Sequence, residues 1–509
     1  MHVAFLSNPA SGQVNVQMAT AQQLVSEGHR VTFLSADSCA KKIDQLRNAQ
    51  LPFQQSLIGF VGLGTSHNDR MHLMRSPPGD PSSLELCIDA ALGPAEDFAE
   101  TALMVADQIN ALDPNISESI VILWPVHGAD NALVCVDALT PSLITGVRLT
   151  KRKFILTIPC SPGTSALPGA FEPHMMASNR EGSLGTFIEN AYLNFREYYY
   201  SVTQPDCVAK REILTKRFNL KSYGVAQDTA LLPPHWEDEN CVAGIHFNTL
   251  GLFDCPKQSS KIVFVGAGVS VDTSSTFCPE LAWMDEAMLH GDDVIYMNMG
   301  SMFIWQKHEF WNCIAGFEAA YKQRGGRVRF LFKINFPIDC PQHNFSTDEL
   351  PPYIRLTNWI DNQHAIYSHP ALKIFIHHGG GNSFNEAVYF GVPQLILSQW
   401  LDTHEYANYA EKFKLGLRSE RPPHVEAHDI EAKVLKMLGP LWSEYKANCQ
   451  SWAIRSQIGG GTASAAKIIV SHAEVTRSQD SILTPPFTPV ESPVLEKDNE
   501  ALQDIVICS

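Results

Sequence analysis

The sequence predicts an α/β protein made of two doubly wound, Rossmann-like domains. Three observations carry that prediction. The chain has 509 residues, too many for one ordinary core and suited to two. The N-terminus and a mid-chain segment open alike, with an apolar strand, a small-residue loop, a helix pattern and a second strand. Strands and helices then alternate, which implies parallel sheets covered on both faces.

The elements follow in order. His2–Ser7 is a buried-strand pattern that runs into the loop Asn8–Gly12. A helix pattern extends from Val14 to Glu27, Gly28 is placed to end it, and Arg30–Leu34 reads as the next strand. Between Gln54 and Pro94 no period holds, and such irregular stretches often serve as substrate loops. Ala132–Val136 and Phe154–Thr157 read as further strands. Pro256, Gly266, Gly268 and Pro279 mark a linker over 251–290, which Ile262–Val265 enters as a strand. Val294–Met299 and Gly300-Ser301 open the second domain. A helix over Lys307–Gln323 and strands at Val328–Phe332, Ile354–Thr357, Leu372–Ile376 and Gln394–Leu397 follow. The domains are expected at 1–250 and 291–477. Residues 478–509, rich in Pro, Ser and Thr, are expected to be a disordered tail.

Composition narrows the function. With 45% hydrophobic and 18% charged residues, disorder of the whole chain is excluded. A net charge of −16 opposes nucleic-acid binding, which rests on Lys and Arg contacts to phosphate, and opposes docking on anionic membranes. The N-terminus lacks the pattern of a signal peptide, no apolar run is long enough to span a bilayer, and Cys508 is misplaced for prenylation. The 12 cysteines are scattered, with no CxxC pair or zinc spacing, and are expected to be reduced in a cytoplasmic protein.

The chemistry is concentrated between Asn358 and Leu417. Strand Leu372–Ile376 ends in His377-His378-Gly379-Gly380-Gly381, and a helix begins near Asn382-Ser383. Glycines let a ligand approach the backbone, and a helix start offers free N–H groups and a positive dipole end. Asn382 and Ser383 can cap the helix or donate to phosphate, and His378 can donate to a phosphate oxygen. Glu386, about one turn beyond Asn382, can accept from a ribose diol. Together these parts suit a nucleoside diphosphate.

The wider stretch contains Trp359, Gln363, His369-Pro370, Phe375, His378-Gly379-Gly380, Asn382-Ser383, Glu386, Gly391-Val392-Pro393 and Asp402-Thr403. It resembles the donor-binding signature of the UDP-glycosyltransferase superfamily, specifically over about 60 residues. The resemblance implies the GT-B fold, with two Rossmann-like domains facing a cleft, and a UDP-sugar donor as co-substrate without further cofactor. It implies that Trp359 stacks on uracil and Gln363 bonds ribose or base. His378, Gly380, Asn382, Ser383 and Ser301 hold the diphosphate and Glu386 the ribose. Asp402, with Thr403 or His404 beside it, binds the sugar. Transfer would be inverting and metal-independent, since no Asp-x-Asp motif is near the site. The acceptor, a small and mostly apolar molecule such as a terpenoid, sterol or polyketide, would lie against Phe53–Met74 and Pro159–Phe195, and the sugar would be glucose.

The chain departs from the family pattern in three places. Gln363 lies four positions after Trp359 rather than the usual three, and Asp402-Thr403-His404 replaces a common Asp-Gln, which leaves the sugar open. The third departure bears on catalysis. The family commonly has a Gly-His before the first helix, and this chain has Gly12-Gln13. A glutamine amide has no basic site of useful pKa. Asp137, at a strand end, matches the family's partner to that histidine. The base is then Asp137, His127, His67 or His72, or the acceptor is acidic enough to need little help, or the chain is a silent nucleotide-sugar-binding partner. A sugar-nucleotide epimerase of the same fold is a further alternative.

Overall fold

The computed structural model describes residues 1–64, 75–112, 133–162, 174–178, 183–230, 233–252, 258–269, 278–334 and 350–483. The first sheet contains β1 (His2–Leu6), β2 (Arg30–Ser35), β3 (Ile58–Gly62), β4 (Leu133–Asp137), β5 (Phe154–Ile158), β6 (Cys241–His246) and β7 (Ile262–Phe264). Their order is β3-β2-β1-β4-β5-β6-β7. The second sheet contains β8 (Asp293–Asn298), β9 (Val328–Lys333), β10 (Ile354–Thr357), β11 (Leu372–His377), β12 (Gln394–Ile396) and β13 (Gly416–Arg418), in the order β10-β9-β8-β11-β12-β13. The strand pairings in both sheets are parallel. Every residue of β1, β4 and β5 is buried, as continuous apolar strands covered on both faces should be.

The first helix spans Ser11–Ser26, three residues earlier than its apolar period suggests. It has no side-chain cap, so nothing in the sequence marks its start. Its end is as expected: Gly28 adopts φ +85, and the His29 N–H bonds the Leu24 carbonyl at 2.9 Å. Val16, Leu24 and Val25 pack under β1 and β2, where Phe5 and Phe33 stack.

Three expectations are corrected. The stretch from Gln54 to Pro94 is not irregular where it is described: it holds β3 and a helix over Ser82–Leu92. Gly59 and Gly62 dilute the apolar pattern of β3, and a Cβ on Gly59 would lie 2.9 Å from Thr32 Oγ1. Segment 251–290 is not a bare linker, because β7 edges the first sheet and helix Pro279–His290 packs under the second. The last helix, Gly461–Leu483, runs into the expected tail and returns to the first domain. There Ala465, Ala466 and Ile469 meet Val16, Ala21 and Leu24. Residues 484–509 lie outside the described residues. The nine described cysteines are buried thiols, and no helix among the described residues is long and apolar enough to cross a membrane.

Strand order reverses between β1 and β4 in one sheet and between β8 and β11 in the other. Such reversals open a crevice at the carboxyl ends of the strands, where ligands gather. A buried polar seam holds the two domains together beside it. Asn248 donates to the Cys160 carbonyl at 2.8 Å and to His246 Nδ1 at 3.0 Å, both in the first domain. Its Oδ1 accepts from Asn385 Nδ2 at 2.8 Å and from the Tyr406 hydroxyl at 3.1 Å, both in the second. All four hydrogen-bonding positions of the amide are filled. Asn248→Ala should lower the unfolding free energy in urea by about 1–3 kcal/mol, because it strands buried partners on both sides. An unchanged midpoint and slope would show that the seam does not hold the domains.

Candidate active site

The two reversal points face one cavity of about 300 Å³. The first domain contributes Ser11–Gln13 and Asn15 from the first helix, Leu139 after β4, and Pro159 and Cys160 after β5. The second contributes the ends of β8 and β9, the turn after β11 and the segment Trp400–Thr403. Asn382 Nδ2 donates to the Ser11 carbonyl at 3.1 Å, and Ser301 Oγ to Ser11 Oγ at 3.4 Å, so the cleft is bridged at its mouth.

The histidine pair after β11 divides its work. His377 Nδ1 accepts from the Gly379 N–H at 3.0 Å, which leaves Nε2–H to donate to Gln394 Oε1 at 2.8 Å. Burial holds that ring neutral, with its pKa lowered to about 3, so it is a structural strut. His378 lines the cavity instead. Its ring lies between Gly300 and Gly380, where added Cβ atoms would come within 2.6 and 2.5 Å of it. Burial lowers its pKa to about 4, and its buried Nδ1 has no protein partner. Beyond it, the helix Gly381–Phe390 starts on Gly380 with no side-chain cap. Asn382 and Ser383 therefore sit in the first turn and do not cap it, and the helix's first N–H groups have no side-chain acceptor of their own. A neutral donor beside an uncapped helix start has the chemistry to hold an anion.

Trp359 is 62% exposed, so it is not a core tryptophan, and it lies on the cavity wall. Lys333, the last residue of β9, places its ammonium 4.6 Å from the Trp359 ring centre. Burial lowers the Lys333 pKa, with Glu386 opposing the shift. Gln363 is fully engaged: its Oε1 accepts from Tyr296 at 2.9 Å and Asn298 at 3.1 Å, and its Nε2 donates to Tyr367 at 2.7 Å and Glu386 at 3.1 Å. It is thus placed to aim Glu386, whose other oxygen is 3.9 Å from His364 Nε2.

At the opposite end, Asp402 is the first residue of helix Asp402–Lys412. Leu401 before it has φ +39, a strained value for a branched residue, and its side chain is buried in the core. Burial, and then Glu405, raises the Asp402 pKa to about 7, with the Ser161 N–H opposing. Thr403 is on the wall, but its hydroxyl accepts from the N–H groups of Gln399 and Trp400 at 3.0 and 2.9 Å and is committed to that turn. His404 is corrected: its Nε2 bonds the Ser76 carbonyl and its Nδ1 meets Ser398 Oγ, each at 3.0 Å, away from the sugar end. It pins a first-domain loop to the second, beside the Arg75–Glu309 ion pair.

On the acceptor side, Gln13 lines the cavity with its buried Oε1 unpartnered in the protein. Asp137 is fully buried and is absent from the wall. Its Oδ1 accepts from the Leu139 N–H at 2.9 Å, while burial raises its pKa to about 7. His127, His67 and His72 lie outside the described residues. The expected apolar wall falls partly outside the described residues. Among the described residues of Pro159–Phe195, Pro159, Cys160 and Met175 reach the cavity, while Leu184, Ile188 and Phe195 are exposed, as is Phe53. Sequence reasoning missed Lys333, although a lysine ending the apolar run Val328–Phe332 at the ligand edge of a sheet was a readable signal. Among the described residues no cluster of His, Cys, Asp and Glu is arranged to hold a metal ion.

Residues 334–454 match the family model described as Erythromycin biosynthesis protein CIII-like, C-terminal domain. The chain is 35% identical to Erythritol-mannosyl-transferase 1 of Mycosarcoma maydis, over 95% of this chain and 93% of that protein. It is 36% identical to the protein of the same name from Pseudozyma antarctica (strain T-34), over 98% and 95%. Its fold is similar to that of the glycotransferase of kitacinnamycin, with a TM-score of 0.62 at 16% identity, covering 92% of this chain and 98% of that one. A cleft between two carboxyl-edge crevices defines the GT-B fold. The chain belongs to the UDP-glycosyltransferase superfamily.

The two raised carboxyls set a pH dependence. Each binds its proton more tightly folded than unfolded, so its stability contribution is whole below the ordinary carboxyl value of 3.8 and is lost as pH rises through about 7. Asp137→Asn and Asp402→Asn should therefore gain stability relative to the parent between pH 5 and 8. Urea midpoints that stay parallel across that range would contradict the buried environments described.

Proposed function

We propose that the chain transfers mannose from a nucleoside-diphosphate donor to a short polyol such as erythritol. The near-full-length likeness to two erythritol-mannosyl-transferases carries this reading. It replaces the glucose and the terpenoid-like acceptor expected from the sequence. The cavity supports the change, because the described acceptor side offers the amides of Gln13 and Asn15 and few large apolar groups.

In this reading Trp359 stacks on the base, as an aromatic face does, and Glu386, aimed by Gln363, accepts from the ribose hydroxyls. His378, Ser301, Ser383 and the N–H groups at the start of helix Gly381–Phe390 take the diphosphate. Asp402 accepts from sugar hydroxyls in its ionised form, which grows as pH rises through about 7, and Thr403 holds its turn. Gln13 Oε1 accepts from the attacking hydroxyl and orients it without removing its proton. The acceptor oxygen bonds to the anomeric carbon as the bond to the diphosphate oxygen breaks, with inversion, and the hydroxyl proton passes to solvent water. Charge that develops on the diphosphate meets a preformed set of donors, so the step is expected to need no metal. Among the candidate bases, Asp137 acts only through other groups, since it has no surface on the cavity. The silent-partner reading is not favoured, because donor turn and sugar-end carboxylate are both in place around one cavity.

The test is product mass after incubation in EDTA with UDP- and GDP-linked glucose and mannose, against erythritol, longer polyols, phenols and terpenoids. Mannosyl erythritol is expected, with Asp402→Asn cutting kcat/KM by roughly 100-fold, as loss of a transition-state contact does. Glycosylation of apolar acceptors alone would overturn the acceptor reading. Epimerisation of the nucleotide sugar without acceptor would overturn the transferase.

A further inference from the structure

The helix Leu184–Thr203 is built inside out. Its buried residues are Thr186, Asn190, Leu193 and Ser201, three of them polar. Its charged side chains turn inward or sideways to partners. Glu189 accepts from the Ser178 N–H at 3.1 Å and hydroxyl at 2.8 Å, Arg196 pairs with Glu85, and Glu197 lies 3.6 Å from His174. The outward face carries Leu184, Ile188, Tyr192, Phe195, Tyr198 and Tyr199, each 45–75% exposed. These positions recur at three- and four-residue spacing, so they form one stripe along a helix of about 30 Å. A surface helix ordinarily does the reverse. None of the six lines the cavity, so the stripe is not an acceptor wall.

We propose that this stripe is the interface of a twofold dimer of the chain. With aromatic side chains offering ~150–250 Å² each, the six half-exposed groups present on the order of 600–700 Å². That exceeds what most monomers leave bare in one patch. Paired with its own copy, the stripe covers roughly 1,200–1,400 Å², above the ~1,000 Å² that a stable interface requires. The charge that adjoins the stripe, Arg196, donates to the Tyr192 hydroxyl at 3.2 Å and is paired with Glu85, so two copies meet without net repulsion, and the tyrosines match the composition of interface cores. An antiparallel pairing about Ala191 and Tyr192 sets Leu184 against Tyr199 and Ile188 against Phe195, and leaves tyrosine hydroxyls towards the rim. A lipid surface fits less well. Interfacial helices carry free Lys or Arg beside the apolar stripe, whereas Arg196 is paired and the chain's net charge is −16. The inner face of the same helix holds the 174–178 segment through His174 and Ser178, and Met175 of that segment lines the cavity. Dimerisation would therefore stiffen one wall of the site.

Sedimentation velocity on the full chain, from sub-micromolar to tens of micromolar, tests this. The parent should sediment as a dimer, and Ile188→Glu/Phe195→Glu as a monomer with an unchanged circular dichroism spectrum and nucleotide affinity. A parent that stays monomeric throughout, or a double variant that remains dimeric, would overturn the proposal. So would a monomeric parent that floats with neutral phosphatidylcholine vesicles.

Discussion

The site depends on one buried amide. Asn248 is anchored in the first domain by Cys160 and His246 and receives Asn385 and Tyr406 of the second. Desolvating a polar side chain is costly unless each of its groups finds a partner, and here each does only when the domains sit in this register. The cost of separation is therefore specific in direction as well as in size. It holds the carboxyl ends of β1 and β4 opposite those of β8 and β11, and the cavity is what remains between them. The return of helix Gly461–Leu483 onto Val16 and Leu24 adds an apolar contact that is less selective in angle.

Within that frame, charge is managed by neutral groups. His378 is too buried to be an imidazolium near neutral pH, and it faces the cavity as one hydrogen-bond donor beside an uncapped helix start. In the proposed reaction such dipoles are in place before the leaving group gains charge, so no reorganisation is needed when it does. Lys333 is the described cation on the wall, and it lies with Trp359 and Glu386 at the nucleoside end. The carboxylates are kept apart, with Glu386 at one end beside Gln363 and Asp402 at the other, where burial raises its pKa to about 7.

Parts of this were legible because one force dominated. Strands β1, β8 and β11 are long apolar runs, and the glycine turn after β11 follows from backbone geometry. Others were hidden by competing demands. Strand β3 gives up side chains at Gly59 to approach Thr32, and the first helix starts without a capping residue. The end of Pro159–Phe195 misled most, since its Leu and Phe content suited a pocket wall and composition does not reveal which way a helix turns. Thr403 and His404 stood in the motif, but their polar atoms bind their own turn and the Ser76 carbonyl. Only the three-dimensional partner list separates a residue that meets a ligand from one that shapes the loop beside it.

The most direct measurement is a crystal structure of the chain soaked with a nucleoside diphosphate. The account predicts diphosphate oxygens within hydrogen-bond distance of the His378 ring and of the first N–H groups of helix Gly381–Phe390, with the base on the face of Trp359. A diphosphate bound elsewhere, or one held in the cleft with His378 turned from it, would contradict the claim that the two reversal points form a single donor site.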